Sequence, residues 1–195
     1  MRVLMVTPSY YPIIGGTESL VRNLAVKLNE IGVLADVMTF NMNKKWKSSW
    51  KRKIQKIDGV KVFRIPALNC FPVTHSDRWT FRVNLIPGRF TDLLRKYDII
   101  HFHDDLDLSL PLFSYFVRKP KILHLHSFVI DYYRKYFLSR YIFKNVADIY
   151  IALTKSMENQ LVRLGIPKGK VRVLPNFVEI RDFHSVEKKI DNLLL

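Results

Sequence analysis

Arg2-Val3-Leu4-Met5-Val6-Thr7, then the turn Pro12-Ile13-Ile14-Gly15-Gly16-Thr17-Glu18, then Leu20, Val21, Leu24, Ala25, Leu28 and Ile31 at three- and four-residue steps: this opening decides the fold. The first run is apolar and short, as a fully buried strand is. The spaced residues form the stripe of an amphipathic helix. Thr17 or Ser19 is placed to cap that helix, Glu18 suits its positive end, and Gly32 stops it. A second apolar run, Val33 to Phe40, follows one short turn later. Strand, helix and strand make a βαβ unit, nearly always right-handed and therefore parallel.

Outward from this unit the alternation continues. Asp58-Gly59 turns the chain into Val60–Ile65, which reads as an alternating strand. Residues 66–77, with Pro66, Cys70 and Pro72, read as a long loop, and helical spacing returns around Phe90, Leu93 and Leu94. Asp98–His103 is the next strand, followed by a helix near Leu106 to Val117 and a strand from Lys121 to His126. A helix over about Asp131 to Asn145 leads to a strand at Asp148–Leu153. Thr154 then caps a helix that runs to Leu164 and ends at Gly165, before a short strand at Val171–Leu174. Strands alternating with helices at this spacing predict an α/β protein with a doubly wound, mostly parallel sheet.

Asn41 to Lys56 breaks the pattern. Lys44, Lys45, Lys47, Lys51, Arg52, Lys53 and Lys56 surround Trp46 and Trp50, and the stretch reads as a basic excursion from the regular structure. A solvated loop explains it. So does a membrane-facing segment whose lysines meet lipid phosphates while the indoles sit at headgroup level.

Composition narrows the classes. Of the 195 residues, 48% are apolar, enough for a core and far from the disordered regime. No apolar stretch approaches the ~18 residues of a transmembrane helix, and the N-terminal run lacks the features of a signal peptide. The single cysteine, Cys70, excludes an intramolecular disulfide and fits a reducing compartment, so the expected location is cytoplasmic. The net charge of +15 points to an anionic partner: nucleic acid, acidic lipid or a phosphorylated ligand. Nucleic acid ranks last, because the aromatics follow no RNA-binding module.

In parallel sheets ligands bind outside the carboxyl ends of the strands. Three clusters fall there: Gly15-Gly16, His103-Asp104-Asp105 and His126-Ser127. The glycine pair is neither the Gly-x-Gly-x-x-Gly dinucleotide fingerprint nor a Walker loop. A tight turn and a phosphate cradle at a helix N-terminus both fit it. His101/His103 and His124/His126 are spaced along strands, and one ring of each pair is expected to face opposite its neighbour. A metal set of His103, Asp104 and His126 is conceivable by ligand type. Neither cysteines nor a His-Glu-x-x-His pairing supports it, and no metal is expected. A Ser-His-Asp hydrolase would need a Gly-x-Ser-x-Gly elbow that the chain lacks.

These motifs, taken in order, resemble the family 4 retaining glycosyltransferases. Met1–Val6 followed by Pro12-x-x-Gly15-Gly16-x-Glu18 is similar to that family's opening. Asp98–His103 resembles its D-V-V-H-x-H strand, His124–Ser127 the strand ending in an acceptor-site histidine, Ala147 to Ser156 its A-D-x-x-x-x-x-S segment, and Val171 to Phe183 its V-x-V-I-P-N-G-V-D-x-x-x-F segment. The resemblance implies a two-domain GT-B architecture of which this chain is the Rossmann-like N-terminal, acceptor-binding half. It implies transfer of a hexosyl-type unit from a nucleotide-sugar with retention, without metal or other cofactor. Gly15 and Gly16 would approach the donor diphosphate through backbone N–H groups. His126 would be the catalytic histidine, orienting sugar and acceptor. His103, Asp104, Ser127 and Glu18 would lie on the acceptor side. The leaving phosphate, not a protein carboxylate, would assist the incoming hydroxyl, so no carboxylate pair is required.

One departure stands out. Asn176-Phe177-Val178-Glu179 replaces the family's Asn-Gly-Val-Asp. Residues 1–183 would form the acceptor domain, and 184–195 a linker and first strand of a donor-binding domain. That domain would act in cis or in trans, and little transfer is expected without it. The expected partners are a nucleotide-sugar and a sugar, lipid-linked or phosphorylated acceptor, with an anionic surface on the inner face of the membrane as a docking plane. The alternative is a non-catalytic module that recruits an anionic surface or a partner chain.

Overall fold

The computed structural model describes residues 1–41, 49, 51, 53–66, 89–103, 117–126 and 137–177. They form one eight-stranded sheet. The strands are β1 (Arg2–Val6), β2 (Leu34–Phe40), β3 (Lys53–Ile57), β4 (Val60–Ile65), β5 (Ile99–His103), β6 (Lys121–His124), β7 (Ile149–Ala152) and β8 (Val171–Val173). The helices are α1 (Gly16–Glu30), α2 (Arg89–Arg95), α3 (Phe137–Asn145) and α4 (Lys155–Leu164).

The strand order is β3-β4-β2-β1-β5-β6-β7-β8, and every pair is parallel except β3 with β4. From β1 the chain winds outward to β2 and β4, then returns to β5 on the other side of β1 and winds the opposite way. The strand order therefore reverses between β1 and β5. In doubly wound sheets that switch point opens a crevice at the carboxyl edge.

Winding in two directions with right-handed crossovers puts helices on both faces. On one face Val21 and Ala25 of α1 pack with Val3, Met5, Ala35, Val37, Val60 and Val62. On the other, Leu93 and Leu94 of α2, Phe143 of α3 and Leu161 and Leu164 of α4 pack with Leu4, Val6, Phe40, Ile100, Phe102, Leu123 and Tyr150. A strand covered on both faces needs apolar residues at successive positions, which is why β1, β2 and β5 read as continuous runs rather than alternations.

The local expectations fare unevenly. Thr154 caps α4 as expected, its Oγ1 accepting from the Met157 N–H, and Gly165 closes the helix at φ 99°. At α1 the expected Thr17 or Ser19 cap is wrong. Gly15 is the N-cap, and no side chain caps the helix. The basic excursion is shorter than expected, because Lys53–Ile57 forms strand β3, antiparallel to β4 across the Asp58-Gly59 turn. Asp58 and Gly59 take φ of 49° and 82°, as two-residue hairpins of this type demand. β4 is not an alternating strand: Arg64 is buried along with its neighbours. The expected helix near 106–117 and the 184–195 segment lie outside the described residues. So do Lys44, Lys45, Trp46, Lys47, Trp50, Arg52, Asp104 and Ser127. No helix among the described residues is long and apolar enough to cross a membrane.

Candidate active site

The turn after β1 ends in the N-terminus of α1, whose backbone N–H groups and dipole favour negative charge. Gly15 is extended, with φ −164° and ψ 176°, and its carbonyl accepts from the Ser19 N–H at 3.0 Å. The N–H groups of the first helical turn have no intrahelical acceptor, and no side chain among the described residues serves as one. Glu18 folds back over the turn: Ser9 Oγ donates to its carboxylate, and a Cβ added to Gly15 would collide with it. A Cβ on Gly16 would meet nothing within 4 Å. The two glycines thus differ in kind. Gly15 is held clear by Glu18, whereas Gly16 borders open space.

Across the switch point stand the histidines. His103 and His124 are paired in register on β5 and β6, and His101 pairs with Met5 of β1, a residue of the α1-side core. Residues two apart on a strand share a face, so all four rings lie together on that side. The expectation that one ring of each pair turns away is therefore overturned. His101 and His103 rings are 4.0 Å apart between centroids, His124 and His126 4.4 Å, and His103 and His126 5.5 Å and nearly parallel. His103 Nδ1 lies 3.3 Å from His126 Nε2, so one of these nitrogens donates and the other accepts.

Burial sets their charge. His101, His103 and His124 are buried, and His126, just past the end of β6, is half-buried. Removal from water disfavours the imidazolium and pushes His101 and His124 down to about 3, His126 to about 4, and His103 well below its ordinary value. Neighbouring rings add to this at His101, His103 and His124, since no two adjacent imidazoles hold a proton cheaply. At neutral pH the quartet is four neutral imidazoles. Such a ring donates or accepts a hydrogen bond without bringing a charge, which suits contact with a sugar hydroxyl better than with a phosphate.

Gly15-Gly16, His103 and His126 thus meet at one carboxyl edge, on β1, β5 and β6, successive strands of the sheet. Two strand spacings separate the turn from His126, roughly 10 Å in the hydrogen-bonding direction. Glu18 joins the turn side of this crevice. Lys51 and Lys53 do not: they are exposed, and Lys53 lies on the outermost strand.

Sequence reasoning missed Arg64. It is 3% exposed, and its Nη2 donates to the Tyr11 carbonyl just before the glycine turn. Burial lowers its pKa, and no carboxylate pairs with it among the described residues. Thr39, its register partner on β2, and Tyr10 carry buried hydroxyls without a partner among the described residues. The signal was available: a basic residue inside a parallel strand flanked by apolar neighbours faces a core, not solvent.

The fold is shared with known proteins. The fold matches HepE of Anabaena in complex with UDP and glucose at TM-score 0.60 and 18% identity, over 93% of this chain and 46% of that one. It matches the catalytic domain of starch synthase IV from Arabidopsis thaliana, bound to ADP and acarbose, at TM-score 0.61 and 13% identity, over 91% and 52%. Sucrose-phosphate synthase from Thermosynechococcus elongatus matches at TM-score 0.57 and 15% identity, over 100% of this chain and 99% of that one. The chain spans about half the length of the HepE chain and of the starch synthase IV catalytic domain. No curated protein matches it in sequence. The family model of Glycosyltransferase Family 4 matches residues 14–182, from the glycine turn to beyond β8. The chain belongs to glycosyltransferase family 4.

Proposed function

We propose that the chain is the acceptor-binding N-terminal domain of a retaining, nucleotide-sugar-dependent glycosyltransferase, completed by a donor-binding domain in cis or in trans. The observation that carries this reading is the meeting of Gly15-Gly16 and His126 on either side of the switch point. A diphosphate on the first helical turn would be held by backbone N–H groups and the positive end of α1. The attached sugar would then extend across β5 toward His126. There a neutral imidazole hydrogen-bonds the sugar or the acceptor hydroxyl and fixes its approach. The leaving phosphate takes the hydroxyl proton, and the transfer step asks no metal or cofactor of this chain. Glu18 lies beside the glycine turn, and its bond to Ser9 keeps it occupied.

The experiment is label transfer from UDP-glucose and ADP-glucose to oligosaccharide and lipid acceptors. It compares the 195-residue chain alone with the same chain joined to a family donor-binding domain. Transfer by the joined protein and almost none by the chain alone is expected. Robust turnover by the chain alone would contradict the division of labour.

The net charge of +15 and the exposed Lys51, Lys53 and Lys56 favour an anionic or lipid-linked acceptor presented at the inner face of a membrane. Sedimentation with vesicles separates this from general stickiness. Binding should require anionic lipid and fade with salt; equal binding to neutral vesicles would count against it.

A further inference from the structure

The histidine quartet is larger than the transfer reaction needs. Only His126 of the four is part-exposed, yet three more imidazoles are buried beside it. His101 Nε2, His103 Nε2 and both ring nitrogens of His124 have no hydrogen-bond partner among the described residues. A buried polar group left unpaired is destabilising, and such groups in native proteins call for an explanation, an ion among them. Apolar residues at these positions would have packed the sheet without that penalty.

We propose that His101, His103 and His124 form a three-nitrogen site for a divalent transition metal of the zinc type, on the α1 face of the sheet beneath His126. Two histidines two apart on β5 share a face, and the third stands opposite His103 on β6. One ring nitrogen from each lies within 4.8 Å of the others. A tetrahedral ion with bonds of 2.0–2.1 Å holds its nitrogens about 3.3 Å apart. Closing the trio onto it moves each nitrogen by less than about 1 Å, within reach of small side-chain rotations. Imidazole suits zinc, and zinc tolerates irregular angles because its filled d shell sets no geometry of its own.

The remaining contact supplies the outer support such sites carry. A metal-bound histidine usually donates its second ring N–H to a neighbour, which fixes the tautomer. His103 has that neighbour: with Nε2 on the ion, Nδ1–H points at His126 Nε2, 3.3 Å away. His126 then carries its proton on Nδ1. The ion takes no part in sugar transfer. It holds the ring that orients His126.

The test uses the 195-residue chain, stripped with a chelator and titrated with Co(II) while its visible absorption is followed; zinc content is measured after loading. One equivalent with intense tetrahedral-type absorption is expected, together with a Tm that rises on adding zinc. His101→Gln and His124→Gln, on different strands, should each weaken binding by about tenfold or more. His75→Gln with His184→Gln, which removes the two histidines outside the quartet, should leave it unchanged. Binding that survives either cluster substitution, or that disappears with His75 and His184, overturns the proposal. If both cluster variants fail to fold, the wild-type chain decides. Weak octahedral-type absorption or a Tm unmoved by zinc overturns the site, and the tetrahedral spectrum with a raised Tm upholds it.

Discussion

The glycine turn and the histidine quartet sit on adjacent parts of one sheet edge and work by opposite means. The turn offers backbone N–H groups and the end of a helix, with two glycines at its centre and the Glu18 carboxylate folded back on Ser9. It is inexpensive to build and stays open to solvent. The quartet brings four polar rings out of water and leaves most of their nitrogens without a partner among the described residues. One region is mostly bare backbone; the other stores a set of groups that folding alone would not favour. That difference predicts where the molecule is sensitive. Changes at the turn should alter function with little effect on stability, whereas changes at the quartet should alter both.

The largest effect should come from protons. His101, His124 and His126 have folded-state pKa values of about 3, 3 and 4, below the ordinary 6.5. In the unfolded chain they bind protons near 6.5, so the unfolded state takes up more protons as the pH falls. Stability is therefore complete above pH 6.5 and declines below it, by about 1.4 kcal/mol per pH unit for each ring that stays neutral in the fold. Metal-free protein should lose its melting transition near pH 4. A Tm flat from pH 7 to 4 would remove the contrast between the two regions.

Next in size is His126→Ala in the protein joined to a donor-binding domain. Loss of a positioned hydrogen-bonding group should lower kcat by about 10²-fold, while the half-buried position keeps the fold. Unchanged kcat would relocate the chemistry. Gly16→Val sharpens the turn side: its Cβ meets nothing within 4 Å, so Tm should barely move. Crowding of the phosphate position should still cut transfer by about tenfold or more, as loss of close approach does. A variant as active as the parent would leave the glycine as a turn former only. The smallest effect belongs to Glu18→Gln. Removing the carboxylate beside the helix N-terminus should strengthen anion binding severalfold, by about 1 kcal/mol or less, and high salt should erase the gain. Weaker binding would show that Glu18 positions the turn rather than opposing the anion.

The same contrast explains what the sequence made legible. The turn is a local object: apolar run, glycine pair and helical stripe lie within forty residues, and the helix follows directly. The quartet is not local. That His103 faces His124, and that four rings share one side, depends on the register between strands β5 and β6. Spacing along one strand cannot supply that register, whereas the shared face within each pair follows from the two-residue spacing alone and was misjudged. β3 was missed because an edge strand pairs on one side only, and its lysines, which discourage further pairing, read as loop. Arg64 escapes notice in an alternating reading, yet every residue of β4 except Lys61 is buried.

One measurement bears most directly on the claim that this edge receives a nucleotide-sugar. Amide and imidazole resonances of the 195-residue chain are followed by NMR while uridine diphosphate, and separately adenosine diphosphate, is raised to millimolar concentration. At least one of the two should shift the amides of Gly15, Gly16 and Thr17 together with the ring of His126, and leave β8 still. No shift with either, or shifts confined to the lysines of β3, would contradict it.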